Sequence, residues 1–434
     1  MKTKLMIYAF FAILALSLSC CSRRSVLVVV DDPENQSDQI RSNKELATPK
    51  PNEQIKPERN SEQSLQPQYY PVNKVDTEEI QSKCREIALL CNDLMVNGEK
   101  ETSIYFLYDT TLTQSAVDEV ERLLSENGYS VLDSDSKYPE YLDNADDFRH
   151  FLELAYSGEN AQQSIVNVSV YNSIYYLTFQ YLDNIMYYIN TTIAWDEDGE
   201  YTISDPYKME TLDWGVTYNE FFYYQMYRVD PHWNACASFR LDPADKKLYD
   251  LYADYLAPIG YPSSVFTLDW DNSNYGAVCF NDLFEALYKE RYNDHVYPAD
   301  YEYYPEMQCC LIPADTFENA ILPYFDVSLD EFRALTLYKH ESNSYPWQTL
   351  GATNLIFCPI LTPDVVECRE NADGTFTIVV EVLCFDYKYF PYFIHEITIK
   401  PNSDGGFQYR ANKVTYTGDH GVPDTTPRLA AQRK

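Results

Sequence analysis

The stretch Ile185-Met186-Tyr187-Tyr188-Ile189-Asn190-Thr191-Thr192-Ile193-Ala194-Trp195 decides the fold class. Ile185, Tyr187, Ile189, Thr191, Ile193 and Trp195 alternate with more polar positions, a period of two that belongs to a pleated strand with one face toward a core. Asp196-Glu197-Asp198-Gly199 then marks a turn. The same period runs through residues 164–227, which read as an antiparallel meander of four or five strands. Its many tyrosines suit a half-buried pleated surface.

Upstream the period changes to that of a helix. Asp76 with Glu79 reads as a cap, and Ile80, Cys84, Ile87, Cys91 and Leu94 form one apolar stripe that Asn97-Gly98 ends. A strand over Ile104–Tyr108, a helix turning Val117, Val120, Leu123 and Leu124 inward, and a strand around Tyr129–Leu132 make one strand-helix-strand unit. Another helix follows Asn144 and carries Phe148, Phe151 and Leu152.

Downstream the helices return. Asp242-Pro243 opens one with Leu248, Leu251, Tyr252 and Tyr255, and Asn281 opens one with Leu283, Phe284 and Leu287. Asp315 with Glu318, and Ser328 with Glu331, have the spacing of capping boxes. Asn371-Ala372-Asp373-Gly374 and Ser403-Asp404-Gly405-Gly406 are hairpin signals among alternating strands over 375–385, 392–400 and 407–416. The expected class is therefore α+β. N-terminal helices and an antiparallel meander occupy residues 76–240, and helices followed by a C-terminal antiparallel sheet occupy 241–416, as two domains or one continuous domain. Residues 417–434 read as a flexible tail.

The N-terminus predicts the compartment. Lys2 and Lys4 precede an apolar run from Leu5 to Leu18, the pattern of a signal peptide over residues 1–20 that is too short for a comfortable membrane span. Leu16-Ser17-Leu18-Ser19-Cys20-Cys21 resembles a bacterial lipobox, whose cysteine is acylated and becomes the new N-terminus. Cys20 has the better small residue before it and Cys21 the better leucine three positions upstream, so either is the lipidation candidate. After a short apolar run at Val26–Val30, residues 31–68 are rich in Asn, Gln, Glu, Ser, Lys and Pro and bury too little apolar surface to offset the entropy of ordering, which sets the bounds of a segment over residues 21–75. They read as a disordered tether about 40 Å from end to end, holding a folded body at the outer face of the cytoplasmic membrane, on the bacterial cell surface.

Composition excludes some partners. The chain carries 33 basic against 67 acidic residues, a formal charge of −34, and cleavage of the leader removes two of the lysines. Nucleic acid is not an expected partner, because phosphate binding needs a basic stripe. The eleven cysteines lack the spacing of a disulfide scaffold or zinc ribbon. Cys84, Cys91, Cys279, Cys358 and Cys384 read as small core hydrophobes, and the pair Cys309-Cys310 is where oxidation is expected.

Motifs that carry chemistry are few. There is no Gly-x-Ser-x-Gly elbow, His-Glu-x-x-His helix or phosphate-cradling loop, and thirteen glycines leave little material for one. No catalytic residue is assigned. His395 and Glu396 are neighbours in a strand and so face opposite sides, which makes His395 a hydrogen-bonded sheet histidine. Asp269-Trp270-Asp271-Asn272-Ser273-Asn274 has oxygens at every second position, and Asp269 and Asp271 are the candidates for calcium. Asn274 stands where an EF-hand loop needs glycine, and no closing glutamate follows. Tyr297, Tyr301, Tyr303 and Tyr304, read as a loop flanked by Pro298 and Pro305, are with Trp270 the candidate ligand-contacting residues.

The globular part resembles a family of uncharacterised lipoproteins of gut Clostridia and related Firmicutes, a domain of unknown function. The matching stretches are Tyr255-Leu256-Ala257-Pro258-Ile259-Gly260-Tyr261, Asn281-Asp282-Leu283-Phe284-Glu285, Ile312-Pro313-Ala314-Asp315, Ser344-Tyr345-Pro346-Trp347-Gln348, and His395-Glu396-Ile397-Thr398-Ile399-Lys400 with Asp404-Gly405-Gly406-Phe407-Gln408-Tyr409. They fall within residues 140–416. The resemblance implies an anchored Gram-positive surface protein and transfers no catalytic residue.

The expectation is thus a non-enzymatic membrane-anchored surface lipoprotein that binds a cell-wall polymer, a protein or a small solute. One alternative is an extracytoplasmic solute-binding protein, which would show a cleft between two equal lobes. The other is a secreted hydrolase, which would show two carboxylates in a pocket with one pKa raised.

Overall fold

A computed structural model describes residues 69–102, 110–133, 140–226, 235–243, 245–261, 263–349, 361–385, 387–423 and 427–429. The expected signal peptide, most of the expected tether, Cys20, Cys21, the strand expected over 104–108 and Cys358 lie outside these residues.

The first half comprises β1 (Tyr69–Tyr70), α1 (Lys74–Asn97), β2 (Lys100–Thr102), β3 (Thr110–Leu112), α2 (Gln114–Glu126), β4 (Val131–Asp133), β5 (Tyr141–Asp143) and α3 (Asp146–Ser157). It continues with β6 (Ala161–Ser169), β7 (Ser173–Leu182), β8 (Ile185–Trp195), β9 (Tyr201–Ile203), β10 (Tyr207–Val216), β11 (Phe221–Met226) and β12 (Ala235–Arg240). The mixed α+β class holds. The meander does not stay open, however: the order β10-β11-β12-β5-β4-β6-β7-β8 returns to β10 and closes an eight-stranded barrel. Two pairings, β12 with β5 and β4 with β6, are parallel. A register shift between Thr211 and Asp213 lets the first half of β10 pair with β8 and the second half with β11. A bulge of this kind bends a strand and permits closure.

Closure buries both faces of β8. The alternating stripe is the outer face, where Ile189, Ile193 and Trp195 pack with α1 and α2 over Ile80, Cys84, Ile87, Val117 and Val120. The indole of Trp195 donates to Asn92 Oδ1 on α1 at 3.0 Å. The intervening Met186 and Tyr188 point inward and are equally buried. A barrel of this strand number is just wide enough for side chains to fill. Here α3 inserts Phe148, whose ring lies 5.1–5.6 Å from those of Phe179, Phe222 and Phe239.

The start of α1 is corrected by one turn. Asn73 is its cap, with Oδ1 accepting from Asp76 N at 2.9 Å. The ordered chain begins earlier still, since β1 pairs with β10, so residues 69–75 belong to the folded body rather than to the tether.

The second half contains α4 (Lys246–Leu251), β13 (Trp270–Asp271), α5 (Phe280–Tyr292), β14 (Glu302–Tyr304), β15 (Cys309–Pro313), α6 (Ala314–Ile321), α7 (Leu329–Leu335) and β16 (Ser344–Trp347). The strands β17 (Leu361–Glu370), β18 (Phe376–Cys384), β19 (Tyr389–Pro401) and β20 (Phe407–Tyr416) complete it. They form an antiparallel sheet ordered β13-β20-β19-β18-β17, with the expected turns between β17 and β18 and between β19 and β20. Its core runs from Leu256 to Tyr409. Ser328 caps α7 as expected, accepting from Glu331 N. The Asp315 box does not form, because α6 starts at Ala314 behind Pro313. Glu318 is instead drawn inward to accept from Arg333 Nε and the Tyr345 hydroxyl, both at 2.7 Å. The helix expected at Asp242 begins later, capped by Asp245.

Two described residues of the expected tail, residues 428 and 429, pack against the folded body. Arg428 and Leu429 are each 8% exposed. Arg428 reaches Asp282 at the start of α5 through Nε at 3.3 Å and donates to the Gln348 carbonyl at 2.8 Å.

Candidate functional site

A concavity lies between α2 and the short pair β4–β5. Helix α2 starts at Thr113, whose Oγ1 accepts from Ala116 N, and its helical period turns Val117, Val120 and Leu124 to the core. Asp118, Arg122, Ser125 and Glu126 are thereby left on its other side. Opposite them, Asp133 stands across from Tyr141, and Val131 across from Asp143. These side chains and Glu121 line a cleft of about 250 Å³.

Five carboxylates face this volume against one guanidinium, that of Arg122, which is itself paired with Glu126 at 2.6 Å. The Ser125 hydroxyl donates to Asp143. Burial, and after it a hydrogen bond to Asp133, pushes the Tyr141 phenol well up, so it stays protonated and donates. A cleft with one sign of charge between low-dielectric walls concentrates counter-ions. This arrangement suits a cationic group and offers no activated nucleophile. Reading the sequence missed it because the lining comes from one helix face and two three-residue strands, with no spacing signature.

The residues singled out from the sequence are dispersed. Trp270 is 5% exposed and donates its indole N–H to the Val265 carbonyl at 2.7 Å, which makes it a core residue rather than a ligand contact. Tyr301 packs on the core, and Tyr303 and Tyr304 sit on β14 and alternate in facing, so the expected loop is partly a strand. Tyr304 lies under Lys339 at 4.2 Å, while Tyr297 and Tyr303 are exposed. Asp269 Oδ1 accepts from Val414 N on β20, and Asp271 Oδ1 accepts from both Ser273 N and Ser273 Oγ within its own loop, so each carboxylate has a donor in the protein. Among the described residues no three His, Cys, Asp or Glu side chains converge as metal ligands. Cys309 and Cys310 are free and buried.

His395 is fully buried in the sheet. Asn412 Nδ2 donates to the Leu268 carbonyl, which orients Oδ1 toward His395 Nδ1 at 2.7 Å. Nδ1 therefore carries the proton, and Nε2 accepts from the Tyr261 hydroxyl at 2.7 Å. Burial lowers its pKa to about 4.

Two further carboxylates, Asp364 and Glu381, are cross-strand partners on β17 and β18, and burial raises the pKa of each. Asp364 accepts from Arg240 at 2.7 Å and from Asn219 at 2.8 Å, and Glu381 accepts from Tyr218. All three donors come from the barrel. Together with Phe221, Leu383 and Phe385, this cluster joins barrel to C-terminal sheet, and the facing surfaces are in contact rather than parted by a cleft at this point.

Compared with known proteins, the chain has no match among the curated sequences or the solved structures. A protein-family model does match, over residues 77–428, a wider span than the motifs within 140–416 and one that ends on the buried Arg428. Covering both the barrel and the C-terminal sheet, it places the chain in the family described as "Family of unknown function (DUF6070)".

Proposed function

We propose that the protein is a lipid-anchored surface module of a Firmicute envelope that binds cationic groups of a wall polymer, protein or small solute without transforming them. The observation that carries the binding role is the acidic cleft, where five carboxylates outnumber one guanidinium in a chain of net charge −34. The leader with Cys20-Cys21 supports the anchor.

Thermal unfolding of the full chain against basic peptides, amines and divalent cations tests the binding role, because a ligand of the native state raises its midpoint. A salt-sensitive rise that Asp118→Asn/Asp143→Asn abolishes is expected. No rise with any cationic class, or a rise untouched by those substitutions, refutes the cleft. For the anchor, one of Cys20→Ser and Cys21→Ser should release the protein from membranes. Retention of the double variant refutes lipidation.

A further inference from the structure

We propose that the tyrosine-lined end of the barrel is a second binding site, for a small primary ammonium ion held by the side-chain oxygens of Asn190 and Thr192. Met186 and Tyr188 fill the barrel interior, and the two-residue period of β8 carries Asn190 and Thr192 onto the same inward face. Asn190 is 3% and Thr192 8% exposed. Asn190 Nδ2 donates to the Tyr207 hydroxyl at 2.9 Å, whereas Asn190 Oδ1 and Thr192 Oγ1 meet no partner among the described residues. Leaving a buried polar atom unmatched costs about 1–3 kcal/mol, a cost that a bound donor removes.

The surroundings select the class of donor. The rings of Tyr188 and Tyr224 stack at 5.4 Å, Tyr207 meets Tyr188 at 6.5 Å, and Tyr175 lies across from Thr192. Ring faces are negative and attract cations. The cations of the adjoining strands are committed elsewhere: Lys208 lies over Tyr187 and on Gln180, and Arg240 is bound to Asp364. An anion would therefore find no counter-charge among these groups, while an ammonium N–H finds two oxygens. Tyr175 and Tyr207 are only half-buried, so this end of the barrel meets solvent. The site is independent of the acidic cleft.

The test is calorimetric titration of the full chain with methyl-, ethyl- and propylammonium, each against the alcohol of equal length. Saturable binding of at least one ammonium and not of its alcohol is expected. Thr192→Val should weaken it at least about tenfold and raise the unfolding midpoint of the free protein, since an unmatched hydroxyl gives way to a methyl of the same shape. Asn190→Leu should also weaken binding, while removing the Nδ2 donor to Tyr207 as well, and Asp118→Asn/Asp143→Asn should leave this binding unchanged. Three results overturn the proposal: no saturable heat with any ammonium, equal binding of the alcohols, or binding that survives both Thr192→Val and Asn190→Leu. The last would mean that the two oxygens hold only water.

Discussion

Acidification should loosen the C-terminal sheet through one side chain, His395. The imidazole has no exposed surface and is matched only in its neutral form, with Nδ1–H on Asn412 Oδ1 and Nε2 accepting from Tyr261. Protonation puts a second donor on Nε2 against a hydroxyl that already donates there, and it buries a charge. Burial lowers the folded-state pKa to about 4 from 6.5. The unfolded chain therefore binds the proton more tightly across that interval, so the stabilisation is complete above the ordinary histidine range and is lost as pH falls toward 4. At 1.36 kcal/mol per pKa unit the loss is about 3 kcal/mol, a large part of the roughly 5–15 kcal/mol that holds most native proteins. The assay is urea unfolding of the wild type and His395→Gln from neutral pH down to pH 4. The variant should be the less stable at neutral pH yet fall less steeply on acidification, so that the two curves converge. Parallel curves, or an imidazole NMR signal titrating near 6.5 in the folded protein, would refute the assignment.

Two further outcomes follow from the same geometry. Arg428→Ala should destabilise the C-terminal lobe by about 3–5 kcal/mol in urea unfolding, because it strands the buried Asp282 carboxylate. Arg428→Lys should restore little, since an ammonium cannot reproduce the guanidinium fork; an unchanged midpoint for Arg428→Ala would show that the tail does not clasp α5. Glu381 has its pKa raised, chiefly by burial, so its contribution is present below the ordinary carboxylate range and is lost as pH rises through the raised value. Glu381→Gln keeps an acceptor for Tyr218 and should match or exceed the wild type at neutral pH, with a flatter pH profile. A variant clearly weaker at neutral pH would contradict the sign.

Local signals carried most of the elements. The Ser328 cap, the turns at Gly374 and Gly405, and the stripe Cys84, Ile87, Cys91 depend on residues within a few positions of one another, and they emerge where expected. Asp315 shows where such signals lose. A capping box is worth about 1 kcal/mol, and burying Glu318 against Arg333 and Tyr345 outweighs it. The candidate site was far less legible. Trp270 looked available because it stood among polar neighbours, yet the sheet covers it, and the cleft-lining Asp118, Asp133 and Asp143 carry no mark apart from their charge.

The sequence by itself determined the α+β class, the acidic character and the inward helix faces, because periodicity, capping and charge are properties of neighbouring residues. Only the tertiary structure decided that the meander closes into a barrel through β8 and β10. That closure turns both faces of Tyr187-Tyr188-Ile189-Asn190 toward other residues and makes tyrosines into core. It depends on a register between strands far apart in the chain and on a bulge at Thr211, which alternation within one strand does not encode.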